Sequence, residues 1–259
     1  MSLKLGSTSI GSLYLGSTKI TEAYLGNVKV YGPSQPVLPA NTIRCKFTSG
    51  YTPTMGTSQT LVDSTDNIWD IYNSDTDWAS LFLNKTQLEE VIAANTTGVT
   101  KMGSMFQSCS NLASVPLFDT SSVTAMTLMF NGCTNLVSEP LFDTSSVTGM
   151  YSMFKGCTKL VTVPLFDTSS VTSMSYMFQD CTNLESVPLF NTSLVGYMSS
   201  MFQNCYAVES GALALYQQAS TQANPPKAHT NTFQNCGRDT VTGAAELAQI
   251  PSSWGGTGA

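Results

Sequence analysis

The sequence predicts a repeat solenoid, β-rich α/β, built from 24-residue coils and preceded by a small N-terminal β-repeat. Three observations carry that prediction. Met-Phe pairs recur in one phase at Met105-Phe106, Met129-Phe130, Met153-Phe154, Met177-Phe178 and Met201-Phe202. Cysteines keep step with them at Cys109, Cys133, Cys157, Cys181 and Cys205. Leucines do the same at Leu112, Leu136, Leu160 and Leu184. Self-similarity at a fixed period marks a chain whose units bury their faces against one another. One unit offers two Met, a Phe, a Cys, two Leu and a Val for burial. That is too little apolar surface to offset the ordering of a unit by itself, so the units must stack.

Taken in order, residues 1–32 follow a shorter period. LKLGSTSIGS, LYLGSTKITE and AYLGNVKVYG align at a shift of ten. Alternating apolar and polar residues around Gly-Ser or Gly-Asn predict short strands joined by tight turns. So small a β-unit is marginal alone, and residues 1–32 are expected to attach or assemble the protein by pairing with a neighbour. Residues 33–40 are Pro-rich and read as an extended linker. Residues 41–77 belong to neither repeat, and strands over Ile43–Phe47 and Ile68–Tyr72 are expected to cap the first coil. The solenoid itself spans 78–238, opening on a degenerate copy with Trp78, Leu81, Phe82, Lys85, Leu88 and Val91. Residues 239–259 form a C-terminal cap and flexible tail.

Within a unit, Met126, Met129, Phe130 and Cys133 share one face of about two helical turns. Thr100, Thr124, Thr148 and Thr172 stand where a helix cap is needed. Leu160–Leu165 reads as a strand, made irregular by a proline that recurs as Pro116, Pro140, Pro164 and Pro188. His229, Phe233 and Cys236 lie 31 residues after Met198, Phe202 and Cys205, which implies a seven-residue insertion. The insertion predicts a helix running to Ala219 with Ser210 as its N-cap. A second helix is expected over Gly243–Gln249, ending before Pro251, with Trp254 sealing the core and the GGTGA tail mobile.

The composition excludes several classes of function. Only 11% of residues are charged and the net charge is −6, with Ser and Thr making up about a quarter of the chain. An acidic chain argues against nucleic acid as a partner, because that binding depends on Lys and Arg contacts to phosphate. No apolar run approaches the ~20 residues of a membrane span, so no membrane insertion is expected. MSLKLGSTSIGS lacks the apolar stretch of a signal peptide. A single histidine, His229, leaves little room for a His-based triad or metal site. No phosphate-binding, zinc-protease or nucleophile-elbow motif is present. No catalytic residue, metal or cofactor is expected.

The remaining candidates divide into framework and display. Cys109, Cys133, Cys157, Cys181, Cys205 and Cys236 are expected to form a buried structural ladder, with Cys45 in the cap. Asp63, Asp66, Asp70, Asp75 and Asp77 are the densest charge cluster, but Trp78 and Asn84 spoil a calcium loop, so turn capping is the expected role. Asp119, Asp143 and Asp167, with Asn191, form a second ladder that suits Asx-turns better than a cation site. Glu89 and Glu90 are adjacent and point apart, and Glu139 interrupts the series Val115, Val163, Val187. His229 occupies a methionine position and is expected to pack. The positions that vary while the framework repeats are expected to face outward. Of these, Tyr151, Lys155, Tyr176, Gln179, Tyr197 and Gln203 form the candidate binding surface, a palette suited to carbohydrate or protein recognition.

L-x-x-V-x-L followed by S-x-V-T-x-M-x-x-M-F-x-x-C resembles the repeat of BspA-like leucine-rich-repeat bacterial surface proteins over residues 78 to about 238. The N-terminal L-G-S-T decamers resemble the starts of phage and prophage structural proteins. Together these resemblances imply a non-enzymatic binding and display protein. The first expectation is a phage or prophage virion fibre or decoration component, located on the virion or an extracellular surface, that contacts host-surface glycan or protein. Other virion or surface proteins, or a second copy forming a homo-oligomer, are expected to engage residues 1–32. The alternative is a bacterial cell-surface adhesin of the BspA type. A surface-glycan-acting enzyme would need an acidic pair facing a cleft, which the repeats do not supply.

Overall fold

A computed structural model of the chain describes residues 13–15, 18–20, 23–25, 28–31, 38–138 and 140–258, with side chains described from residue 38 onward. Glu139, the first decapeptide and most of the Pro-rich linker lie outside the described residues. The chain divides into two compact units, 1–37 and 38–259. In the first, β1 (Leu13–Leu15) pairs antiparallel with β2 (Thr18–Ile20), and β3 (Ala23–Leu25) with β4 (Val28–Tyr31). The decapeptide period is therefore a hairpin period, as its alternation requires.

The second unit is β-rich with few helices. It begins with β5 (Thr42–Phe47), β6 (Ser58–Asp63), β7 (Ile68–Tyr72) and β8 (Leu88–Asn95), which form an antiparallel sheet in the order β6-β7-β5-β8. Ile43, Cys45 and Phe47 on β5 face the core. Arg44 points the other way and donates both Nε and an Nη to the Asp70 carboxylate on β7, at 2.7 and 2.8 Å. Strand β6, which no hydrophobic run announces, lies at the sheet edge.

Strand β8 is also the first coil's contribution to a stack. Glu90 bridges in parallel to Ser114 on the next coil. A parallel bridge row runs Asp77, Lys101, Ala125, Gly149, Ser173, Tyr197, Ala228, so each coil is bonded to the next in register. Two phenylalanine rows fill the interior. Along the inner row ring centroids are 5.4 Å apart at Phe82–Phe106, 5.5 Å at Phe106–Phe130 and at Phe130–Phe154, and 5.6 Å at Phe154–Phe178. The second row, Phe118, Phe142, Phe166 and Phe190, packs beside it. The buried Thr96, Thr120, Thr144 and Thr168 each donate their hydroxyl to a main-chain carbonyl of the following coil, at 2.8–2.9 Å.

Several expectations are corrected at this level. The M-x-x-M-F-x-x-C segment is a succession of tight turns, not two turns of helix. Met129, Asn131 and Cys133 N–H bond three residues back, while Leu128, Phe130 and Gly132 N–H bond to Tyr151, Met153 and Lys155 carbonyls of the next coil. A two-turn helix would leave its first four N–H groups unpaired. Here alternate N–H groups serve the turn and the neighbouring coil. Two left-handed residues per coil, such as Leu128 (φ 60°) and Gly132 (φ 75°), produce the alternation. Thr100, Thr124, Thr148 and Thr172 therefore cap no helix. Thr124, Thr148 and Thr172 instead donate their main-chain N–H to the equivalent threonine carbonyl of the preceding coil.

The L-x-x-V-x-L segment is a regular strand only at β8, where Ile92 holds the place of the later prolines. In the later coils it shows isolated bridges, and at Pro164 and Pro188 the chain closes three-residue turns to Phe166 and Phe190 N–H. The second leucine of the segment is exposed, and the phenylalanine after it takes the core position.

At the far end the coil-to-coil bonds step from 23 to 30 residues, as at Phe178 N–H to Met201 O and then Phe202 N–H to Thr232 O, confirming the seven-residue insertion. The lengthened coil holds α1 (Ala212–Thr221). Gly211, not Ser210, is the N-cap, at φ 95°. A Cβ there would run into the Val187 carbonyl oxygen, so glycine is required. Helix α2 (Val241–Leu247) is capped by Thr240, whose hydroxyl accepts from Gly243 N–H at 3.0 Å. Glu246 on α2 accepts from Gly211 and Leu213 N–H at the start of α1. Trp254 is buried against Phe233, Tyr216 and His229. The glycine-rich tail is not loose: Gly256, Thr257 and Gly258 N–H bond to Pro251, Leu247 and Ile250 carbonyls.

Candidate functional site

The tight turns place the variable positions on one side of each coil. Tyr151 is 41% exposed and Tyr197 57% exposed, while Tyr176, Lys155, Gln179 and Gln203 are half-buried. The structure brings Tyr151, Tyr176 and Lys155 together. The two rings meet edge to face at 5.5 Å and 67°, and Lys155 Nζ lies 5.6 Å from the Tyr176 ring centroid. Such a cluster offers aromatic faces, two phenol hydroxyls and an ammonium.

Gln179 and Gln203 join a different arrangement. Gln179 donates its amide to Gln203 Oε1 at 2.5 Å, and Gln203 donates to Gln234 in turn. A parallel ladder runs beside it, Asn235 to Asn204 at 2.9 Å and Asn204 to the Asp180 carboxylate at 2.8 Å. Gln179 Oε1 is buried at the open end of its ladder without a hydrogen-bond partner. Tyr197 stands on the bridge row one coil beyond Tyr176. Not every variable position faces out: Ser152, Ser175 and Ser200 are buried, because their small side chains let the next coil close over them. Sequence reasoning missed Tyr206, which carries the Arg238 guanidinium 4.2 Å above its ring.

Tyr176 has a left-handed backbone, φ 61°. Its equivalents are Ser80, Ser104, Ser152, Ser200 and Asn231, with Leu128 the other bulky residue. The left-handed region disfavours such a side chain by about 1–2 kcal/mol. Tyr176→Asn is expected to raise stability by about 1 kcal/mol in urea titration, while dismantling the Tyr151–Lys155 cluster. A loss of stability would mean that ring packing outweighs the strain.

The framework candidates have other work. Cys109, Cys133, Cys157, Cys181 and Cys205 each donate their thiol to the carbonyl of Phe82, Phe106, Phe130, Phe154 or Phe178 in the preceding coil, at 3.0–3.2 Å. Burial pushes the Cys45, Cys133, Cys205 and Cys236 thiols well up, and the Cys109 thiol to about 12. Cys236 is buried under the C-terminal cap and Cys45 lies on β5. Asp119, Asp143 and Asp167 close Asx-turns on Ser121, Ser145 and Ser169 N–H, and Asn191 does so on Ser193. The serine hydroxyl at each turn, with the same residue's N–H, holds the carboxyl below its ordinary range. Asp75 and Asp77 likewise accept from Asp77 and Ala79 N–H at the entry to the first coil. His229 stacks on Trp254 with ring centroids 4.1 Å apart and planes at 9°. Among the described residues no group of three His, Cys, Asp or Glu is placed to hold a metal ion, and no helix is long and apolar enough to cross a membrane.

A family profile described as Mycoplasma protein of unknown function, DUF285, matches residues 58–159 and again residues 140–236. No curated protein and no solved structure matches the chain. The two matches together span more than half of the chain, and the chain therefore belongs to the DUF285 family.

Proposed function

We propose that this chain is a leucine-rich-repeat solenoid of the BspA type and works as a non-enzymatic binding and display protein, recognising host-surface glycan or protein. The observation that carries this reading is the cluster of Tyr151, Tyr176 and Lys155. Two tyrosines and a lysine stand on a framework whose other coils carry Thr127, Ser152 or Ser200 in the same registers, and Tyr176 is kept there against its backbone preference. Large aromatic residues with adaptable polar neighbours are the usual composition of recognition surfaces. The resemblance of the N-terminal decapeptides to phage structural proteins supports a virion fibre or decoration component as the setting. A cell-surface adhesin uses the same chemistry in a different setting.

A glycan and protein array probed with the full chain tests the binding reading. Retention of a ligand by the wild type and its loss in Tyr151→Ala and Tyr176→Asn is the expected result. Equal retention by all three proteins removes the tyrosine cluster from the site. Proteomics of purified particles from the source separates virion from cell surface.

A further inference from the structure

In each P-L-F-D segment, and in the P-L-F-N of the fourth coil, the phenylalanine is buried and the residues on either side of it are not. Leu117, Leu141, Leu165 and Leu189 are 63%, 59%, 60% and 52% exposed. Asp119, Asp143, Asp167 and Asn191, two residues further on, are exposed as well. Because the coils stack in register, the leucines make one row and the acidic residues a second row beside it. Scattered surface leucines are ordinary, but a contiguous row of this kind marks an interaction surface.

The spacing of the row selects the kind of partner. In the four coils that carry these leucines, the inner phenylalanines Phe106, Phe130, Phe154 and Phe178 follow one another with ring centroids 5.5, 5.5 and 5.6 Å apart. An α-helix advances about 5.4 Å per turn, so over three coil intervals it keeps register to within about 1 Å. Same-face side chains of an extended strand repeat at about 6.7 Å and drift by about 3 Å over the same length. A helix lying along the stack therefore meets all four leucines, and a strand does not.

Charge selects the partner further. Asp143 and Asp167 repel their neighbours along the row, Asp143 raising the Asp119 pKa and Asp167 that of Asp143, against the lowering by the serine hydroxyls. Asn191 makes the same turn with a neutral amide, accepting Ser193 N–H at 3.0 Å, so the turn does not require the charge. A second copy docked here would set carboxylates against carboxylates. A basic partner removes that repulsion.

We propose that the leucine–aspartate face docks a basic amphipathic α-helix of another protein. The leucine row takes the helix's apolar stripe at positions i, i+4, i+7 and i+11. The aspartates take the Lys or Arg residues flanking that stripe. This docking surface uses residues outside the tyrosine cluster and stands whether or not that cluster binds a ligand.

Fluorescence anisotropy with the full chain tests it. The probe is a labelled Leu/Lys peptide of about 18 residues with leucines at helical spacing. Two peptides of the same composition serve as comparisons, one alternating Leu and Lys and one scrambled. The helical peptide is expected to bind at least about tenfold more tightly than either. Leu141→Glu with Leu165→Glu is expected to weaken it about tenfold or more. Asp143→Asn with Asp167→Asn, which keeps the turns, is expected to weaken it about fivefold at low salt and to flatten the salt dependence. If the glutamate pair lowers the melting temperature, Leu141→Ser with Leu165→Ser replaces it. Equal binding of the alternating or scrambled peptide overturns the proposal, as does an unchanged Kd in the leucine variants. Self-association of the wild type that the leucine variants abolish would make the face a homotypic interface and overturn it too.

Discussion

Above about pH 9 the protein is expected to lose stability steeply, by about 1.4 kcal/mol per pH unit for each buried thiol. Cys45, Cys109, Cys133, Cys205 and Cys236 all have thiols raised by burial. The unfolded chain ionises these groups near pH 8.5–9, while the folded chain keeps them protonated, so above that range the unfolded state binds fewer protons. Stability is then full below pH 8 and falls as the pH rises, until Cys109 itself ionises near pH 12. Five such groups acting together remove about 7 kcal/mol per pH unit, enough to exhaust the stability of an ordinary domain within one or two units. Urea titrations at pH 8, 9 and 10 measure the slope, and Cys133→Ala is expected to reduce it by about one fifth. An unchanged midpoint through pH 10 would falsify the buried-thiol ladder. The signal differs from tyrosine ionisation because a thiol-specific reagent should label these cysteines only as the chain unfolds.

Truncating Phe154 to alanine is expected to destabilise the protein by about 3–5 kcal/mol. Its ring stacks on Phe130 at 5.5 Å, Phe166 at 6.1 Å and Phe178 at 5.6 Å, and it lies mid-stack with coils on both sides. The rings on either side are themselves held in the stack, Phe130 by Phe106 and Phe178 by Phe202, which limits how far they can close over the cavity. Leu165→Ala, in the same coil but 60% exposed, is expected to change stability by no more than about 0.5 kcal/mol. Paired denaturant titrations make the comparison, and equal effects would mean that the two residues share one environment. Since coils contact chiefly their neighbours, Phe154→Ala is also expected to broaden the transition as the two halves uncouple.

The repeat was legible because one residue type recurs at one phase over many coils. Met105, Cys109 and Leu112 recur with the same spacing through to Met201 and Cys205, and chance does not produce that agreement. The hairpins of the N-terminal unit were legible from period-two alternation, strands β5 and β7 as apolar runs on either side of a Gly/Thr/Ser loop, and the insertion of seven residues from a phase shift. The Asx-turns were legible because D-T-S-S supplies both the acceptor and the following N–H.

The tertiary structure decided three things that the spacing left open. Positions i, i+3, i+4 and i+7 share a face in a helix and also in a succession of tight turns. What separates the two is whether alternate N–H groups find carbonyls in the next coil, and Phe130 N–H to Met153 O answers for the turns. The choice between Leu165 and Phe166 for the core turned on the local bend at Pro164, which a pattern of apolar residues does not encode. The meeting of Tyr151 with Tyr176 and Lys155 likewise depends on residues 25 and 21 positions apart, brought close only by stacking and by the left-handed turn at Tyr176. Periodicity is a property of one coil and reads off the chain, whereas contacts between coils exist only once hydrogen bonds have set their register. By itself the sequence determined what each coil is made of and how often it recurs. Stacking decided which side chains it buries and which it presents.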